Sequence, residues 1–348
     1  MKFKKNDLLS LDKFINECLY NKKFGYYIKK IPFGKKGDFI TAPSISILFS
    51  EMIAIWIISF WEKLDRPKQF NLIELGAGNG EMMRVLVNTF NNFPQFKNSC
   101  NIKILEKSIL LRKLQKKVIK DKKIKWLNNL KELNNLPSIF IANEFFDALP
   151  IKQFIKKNNL WYERYVNFSS QIKPKYMDIP FNMEKFEKKL NFKISLRQEF
   201  IEYSPLLLKY LKEVSNIIKH NNGGILIIDY GYTEKKMRNT LQAISNHKFT
   251  NVLKSFGSSD ITYNLSFEMV SKIIKKLGSF FQTTTTQRKF LTKLGILNRA
   301  EILSQKMPFS KKADLYFRIK RLIDKDKMGN LFKVLFVTNK KNKFKIGF

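Results

Sequence analysis

Apolar and polar positions along this chain follow two distinct periods. Over 8–20 and about 44–64 the apolar residues recur at helical spacing. The second stretch is apolar nearly all round, which predicts a helix buried inside the protein. From residue 71 onward, short apolar runs take turns with amphipathic segments. Strands are expected at 71–75, 102–106, 124–127 and 139–143, and helices at 80–90 and 109–120. Such alternation implies right-handed crossovers and a mostly parallel, doubly wound sheet, an α/β fold. After Pro150 the alternation breaks. Two apolar runs between Gln153 and Val166 flank Lys156-Lys157-Asn158-Asn159, the pattern of a β-hairpin, and residues 167–200 show no clear period. Ser204-Pro205 reads as a helix cap with proline in the first turn, and Gly223-Gly224 stops that helix. Ile225 to Asp229 is then a fifth parallel strand, Phe267 to Leu277 a helix, and Leu331 to Thr338 a last strand.

Candidate chemistry collects at the strand ends. Glu74-Leu75-Gly76-Ala77-Gly78-Asn79-Gly80 follows the apolar run 71–73 directly. A glycine turn there lets backbone approach a nucleotide-like ligand and points a helix N-terminus at it. The spacing is one residue tighter than the dinucleotide pattern G-x-G-x-x-G. Glu106 ends the next strand, where in doubly wound sheets the ligand crosses, and its carboxylate can accept two hydrogen bonds from ribose hydroxyls. The stretch Ser138 to Pro150 puts Asn143, Glu144 and Asp147 among Phe145 and Phe146 just past a buried strand. Burying carboxylates among aromatics needs partners, so packing alone accounts poorly for this segment.

These segments resemble a known family. Gly25-Tyr26-Tyr27, the stretch Phe33 to Pro43 with Gly37-Asp38-Phe39 and Thr41-Ala42-Pro43, the motif Glu74–Gly80 and Asn143–Pro150 occur in this order in MidA-type methyltransferases. Those are relatives of the mitochondrial complex I assembly methyltransferase that modifies arginine. Glu202-Tyr203-Ser204-Pro205, Asp229-Tyr230-Gly231, Thr240 to Ala243, Phe290 to Ile296 and Met328 to Val334 extend the resemblance over nearly the whole chain. Two departures stand out: Asn264 to Phe267, where the family usually carries His and Asp, and Arg288, where it has Gly. The resemblance implies a class I, Rossmann-like fold with helical and hairpin insertions, S-adenosyl-L-methionine as cofactor, and a protein substrate such as a complex I subunit. Cofactor-binding residues are expected at Glu74, Gly76, Gly78, Gly80, Glu106, Asn143, Thr41 and Pro43. The glycines and proline of 33–43 suggest a flap over the ligand. The chain is expected to divide into an N-terminal helical region with this loop (1–70), the first part of the core (71–150), a hairpin insertion forming substrate surface (151–220), and the rest of the core with a helical insertion (221–348).

Methyl transfer from a sulfonium is an in-line displacement that needs no metal. If the acceptor is arginine, its guanidinium stays charged, and a carboxylate fork holds it and stabilises the charge. Glu144 is the first candidate for that fork, Asp147 its partner and Asp38 a third. A nucleic-acid adenine methyltransferase is the main alternative, but such enzymes place Asn or Asp before Pro-Pro and an aromatic, whereas Glu-Phe-Phe follows Asn143. A cofactor-binding assembly factor without catalysis is a third reading.

Composition modifies this picture only in part. With 348 residues, 44% hydrophobic and 32 Phe, the chain can bury a large core. The net charge of +36 invites a nucleic-acid reading, yet the excess is Lys dispersed among Asn and Ile, the mark of a general charge bias. Specific nucleic-acid binding is therefore not expected. Cys18 and Cys100 form no C-x-x-C pair, and two histidines are too few for a metal centre. His220 falls near a helix end, where a capping role is expected, and His247 matches a family position. The N-terminus lacks an apolar signal core, and the most apolar run, Met52 to Trp61, is half the length of a membrane span. A cytoplasmic enzyme is expected.

Overall fold

The computed structural model describes residues 7–29, 31–32, 41–168, 174–245, 248–254 and 256–348. In chain order its elements begin with β1 (Leu8–Ser10), α1 (Leu11–Tyr20), α2 (Tyr26–Lys29), α3 (Ala42–Ile45), α4 (Ile47–Lys63), β2 (Phe70–Leu75), α5 (Glu81–Phe90) and α6 (Pro94–Ser99). There follow β3 (Cys100–Leu105), α7 (Ile109–Ile119), β4 (Lys125–Leu127), β5 (Ser138–Asn143), β6 (Lys152–Lys157), β7 (Leu160–Asn167), β8 (Lys175–Pro180), α8 (Met183–Leu190), β9 (Phe200–Tyr203) and α9 (Pro205–Asn221). The remainder is β10 (Gly223–Tyr232), β11 (Gln242–Ser245), β12 (Lys248–Thr250), β13 (Asp260–Thr262), β14 (Leu265–Ser266), α10 (Phe267–Leu277), β15 (Phe280–Thr286), α11 (Gln287–Lys293), α12 (Ile296–Ser304), α13 (Phe309–Ile323) and β16 (Phe332–Asn339). They form two compact units: Met1–Pro32 with Phe146–Lys212 and Tyr232–Leu277, and Phe33–Phe145 with Glu213–Gly231 and Gly278–Phe348.

The second unit carries the expected doubly wound sheet, in the order β15-β16-β10-β5-β2-β3-β4. The pairs β10–β5, β5–β2, β2–β3 and β3–β4 are parallel, β16 runs antiparallel to both β10 and β15, and β14 also pairs with β10. Every residue of β2 is buried, because helices cover both faces, so it shows no alternation and even its polar Asn71 and Glu74 lie inside. The apolar stretch 44–64 becomes α4, started by Ser46, whose Oγ accepts from the Leu48 N–H. Its Trp56 and Phe60 pack edge-on to Phe336 of β16 at 5.0 and 4.9 Å. Each such fully buried ring contributes roughly 1.5–3 kcal/mol. The parallel register aligns Leu75 with Leu105 and with Ala142, and Asn143 with Ile228. The carboxyl ends of β2, β3, β5 and β10 therefore share one edge of the sheet.

The first unit holds an antiparallel sheet, β1-β7-β6-β9, with β8 paired to β7. The hairpin β6–β7 turns on Asn158 and Asn159, with φ of +47° and +62°, the pair of left-handed residues that a two-residue turn demands. Stretch 167–200, which lacks periodicity, supplies the mostly exposed β8 and the short α8, whose Phe186 joins Phe154, Phe181 and Tyr203 in one aromatic cluster. A three-stranded sheet, β12-β11-β13, goes unanticipated from the sequence because its strands are only three or four residues long. Glu202 of β9 is 7% exposed and gathers the Gln153 amide, the Thr240 N–H and hydroxyl, and the Leu241 N–H on its carboxylate. One side chain thus fixes the irregular segment before β11. Among the described residues, no helix is long and apolar enough to cross a membrane.

Candidate active site

The turn after β2 is built from three glycines in backbone conformations that side chains rarely adopt. Their φ angles are +68° at Gly76, +52° at Gly78 and +83° at Gly80. Space is short as well: a Cβ on Gly76 would lie 2.7 Å from the Phe145 ring. Gly80 is the N-cap of α5, and Asn79 accepts from the Glu81 N–H at 3.1 Å, so the turn feeds straight into the helix.

Polar groups stand around this turn. Glu74 is 3% exposed, and its Oε2 has no hydrogen-bond partner among the described residues. Burial, and then the nearby Glu106 charge, push its carboxyl up to about 8. Asn143 ends β5 with its Oδ1 likewise buried and unpartnered, while its Nδ2 donates to Glu144 Oε1 at 3.2 Å. Glu144 itself has φ +50°, held there by its N–H donating to the Ile228 carbonyl at 2.9 Å. A left-handed non-glycine residue costs about 1–2 kcal/mol, and such residues cluster where a side chain must be aimed. Thr41, Pro43, Glu74, Gly76, Gly78, Asn143 and Glu144 line a single cleft.

Glu106 follows β3 and is buried, with Oε1 accepting from the Ser108 N–H at 2.9 Å and Oε2 from Gln115 Nε2 at 3.1 Å. Burial raises its carboxyl against the lowering effect of those hydrogen bonds. Gln115 is the residue that sequence reasoning misses. It is fully buried, donates also to the Gly78 carbonyl at 2.9 Å, and accepts from Trp126 Nε1 at 2.8 Å. Its one signal is position: Leu111, Gln115 and Ile119 form the buried stripe of α7, and an amide in such a stripe needs partners.

Asp147 belongs to the first unit, where it is 4% exposed and its carbonyl accepts from the Tyr263 N–H. Tyr27, from the Gly-Tyr-Tyr segment, donates to Asp260 at 2.9 Å and stacks on Tyr20. Burial, then the charges of Asp260, Tyr20 and Asp147, raise the Tyr27 hydroxyl well above its ordinary value. Asp260 carries no sequence signal of its own. Asp38, most of the expected flap and His247 lie outside the described residues.

This donor and acceptor set suits S-adenosylmethionine. The cofactor presents an amino group and ribose hydroxyls, and the cleft offers the Glu74 carboxyl and the Asn143 amide, each with a buried oxygen without a partner among the described residues, together with the Glu144 carboxylate and a close-approach backbone. Protonated Glu74 also has a measurable consequence without ligand. Its folded value lies above the unfolded one near 4.5, so its effect on stability is neutral below pH 4.5 and grows more unfavourable as pH rises towards 8. Glu74→Gln is therefore expected to match the wild type near pH 4.5 and to exceed it at pH 8 by on the order of a few kcal/mol. Urea unfolding at a series of pH values reads this directly; parallel pH profiles would show that Glu74 ionises freely.

Residues 52–284 match the family described as "Putative S-adenosyl-L-methionine-dependent methyltransferase". The chain is 27% identical over 357 residues to a Xenopus tropicalis protein named Protein arginine methyltransferase NDUFAF7, mitochondrial, covering 95% of this chain and 83% of that one. The Mus musculus protein of the same name is 28% identical over 361 residues, covering 95% and 81%. A crystal structure of a Burkholderia thailandensis protein bound to S-adenosyl-homocysteine superposes with a TM-score of 0.81 at 21% identity, over 98% of this chain and 90% of that one. The expectation of a cytoplasmic enzyme is overturned by the curated relatives, which are named as mitochondrial. Lack of an apolar signal core or a membrane span does not separate one aqueous compartment from another, so that inference had no physical discriminator. Glycine turn, buried acids and doubly wound sheet agree with the match: this chain belongs to the S-adenosyl-L-methionine-dependent methyltransferase family and is an enzyme of that class.

Proposed function

We propose that this methyltransferase modifies a protein, at the guanidinium of an arginine, and that a subunit of respiratory complex I or a similar partner is the target. The observation that carries the reading is Glu144, a carboxylate on the cleft wall whose backbone is held in the left-handed region. Relatives named as protein arginine methyltransferases support the same acceptor.

In this reading Glu144 accepts two parallel hydrogen bonds from the planar guanidinium and stabilises the charge on the nitrogens that do not react. Asp147 is proposed as its partner and Asp38 as a third acid. Glu74, Asn143, Thr41, Pro43 and the three glycines are proposed to hold the cofactor, with Glu106 taking the ribose. S-adenosylmethionine, when bound, supplies the electrophilic methyl group. The protein's share is alignment and exclusion of water: the reacting nitrogen gains the methyl and gives up one proton, which the Glu144 carboxylate passes to solvent, S-adenosyl-homocysteine leaves, and the methylated guanidinium keeps a single positive charge.

Transfer of labelled methyl from S-adenosylmethionine into a whole-cell extract tests the acceptor class. Label is expected to vanish on protease treatment and to appear as methylarginine after acid hydrolysis. Label that survives protease but is released by nuclease would overturn the reading. The donor assignment has its own test. Glu106→Ala should weaken S-adenosyl-homocysteine by about 2–4 kcal/mol in calorimetry, the loss of two charge-assisted hydrogen bonds. Gln115 keeps its bond to the Gly78 carbonyl in that variant, so the turn stays in place. Unchanged affinity would mean that the ribose is held elsewhere.

A further inference from the structure

The sheet of the second unit ends at β4, which among the described residues pairs only with β3. Beside this open edge lies a cavity of about 1040 Å³, with Lys103, Arg112, Lys116, Lys120, Lys122 and Lys125 in its wall. The wall's two acids are engaged elsewhere. Asp121 accepts from the Lys123 N–H, and Glu132 from the N–H groups of Asn128 and Asn129. Two features set this patch apart from the dispersed charge of the rest of the chain. The β3–β4 register puts Lys103 directly opposite Lys125, and like charges so placed weaken a sheet. Lys103 is moreover only 8% exposed, and burial, then the Lys125 charge, lower its ammonium below the usual range. A fold that keeps such a repulsion at an open edge is set up to have it relieved by an anion.

We propose that this groove docks an acidic, extended segment of the protein substrate, added as a strand to the free edge of β4 with its carboxylates on the lysines. The inference rests on the protein-substrate reading above. An extended peptide can use both the lysines and the outer edge of β4, where among the described residues no strand pairs, although the Leu127 carbonyl already accepts from Arg112 at 2.7 Å. Nucleic acid fits less well. Single strands bind on successive free aromatic faces, whereas Trp126, the aromatic side chain in this wall, has Lys116 Nζ over its ring at 5.1 Å and its N–H committed to Gln115. The same Gln115 touches Glu106 and the glycine turn, so docking lies one side chain away from the proposed cofactor residues.

The test is fluorescence anisotropy of a labelled octapeptide of alternating Glu and Val, which contains no arginine. Binding is measured in about 50 mM salt, where screening is modest. The triple variant Lys120→Glu, Lys122→Glu, Lys125→Glu alters exposed residues only and should weaken the peptide by about tenfold or more. A second triple, Lys311→Glu, Lys312→Glu, Lys340→Glu, makes the same charge change at exposed residues away from the groove and should leave binding within about twofold. Both triples should bind S-adenosyl-homocysteine as the wild type does, which establishes that they fold; if the groove triple does not, the milder Lys→Gln set replaces it. Equal loss in both triples would reduce the effect to bulk charge and overturn the proposal. So would a wild type that ignores the peptide, or an RNA octamer that displaces it at lower concentration. Because no methyl is transferred, failure here leaves the arginine reading intact, and failure of that reading does not move the anisotropy.

Discussion

Glu144→Gln is expected to lower methyl transfer by about a hundredfold or more, with S-adenosyl-homocysteine affinity nearly unchanged. The substitution keeps the size of the side chain and one acceptor oxygen, and it leaves the backbone bond from residue 144 to the Ile228 carbonyl in place. What it removes is the negative charge. A neutral amide cannot hold a guanidinium at two points or stabilise its positive charge, so the loss falls on turnover. Single-turnover transfer and calorimetry together separate the outcomes. A variant that methylates normally would reject Glu144 as the acceptor ligand and shift suspicion to Asp147 or Asp38. One that loses the cofactor instead would put Glu144 in the donor site with Glu74 and Asn143, beside which it lines the cleft.

The largest effect on stability is expected at Gly223. A Cβ there would lie 2.0 Å from the Ser138 carbonyl oxygen, and the residue has φ +116°. Nothing nearby can yield, because Ser138 and Gly223 start the central β5–β10 pair and the Gly223 carbonyl accepts from the Thr338 hydroxyl. Gly295→Ala provides the contrast: φ is also positive, at +83°, yet the nearest atom to its Cβ would be Asn298 Oδ1 at 3.9 Å. Gly295→Ala should cost about 1 kcal/mol, the conformational penalty alone. Gly223→Ala adds backbone overlap and should cost more than about 4 kcal/mol, enough to prevent accumulation of folded protein. Denaturant midpoints, or soluble yield where none can be measured, give the comparison. Similar costs in the two variants would mean that the β5–β10 pair shifts to make room.

Elements that bury an apolar run on both sides were legible in the sequence, and elements that do not were obscure. Strands β2, β5 and β10 and the helices α5, α7 and α10 fall within a few residues of expectation, because their hydrophobic period survives into the structure. Strand β8 is mostly exposed and β11 to β13 are very short, so no period could form. At the site, the glycine turn and the acids of the strand ends could be named because a parallel sheet confines ligand contacts to that edge. Gln115 could not, since its meaning depends on three partners, Gly78, Glu106 and Trp126, that only the folded chain assembles. The strain at Glu144 is equally invisible in one dimension: it arises from a backbone bond to Ile228, eighty-odd positions further along.

The pairing of β1 with β7 sets a schedule for synthesis. Leu9 lies opposite Val166, and α1 turns Leu11, Phe14, Ile15, Cys18 and Leu19 inward. When these residues leave the ribosome, the strand that receives them does not yet exist. At 5–20 residues per second, the 157 positions between Leu9 and Val166 take about 8–30 s to translate. Through that interval the nascent chain carries an apolar helix with no native surface to cover it, while the parallel core from β2 to β5 is already being made. Early synthesis is thus the stage at which this protein most needs a chaperone, and slowing translation ahead of residue 160 should raise the aggregated fraction more than the same delay placed after β9.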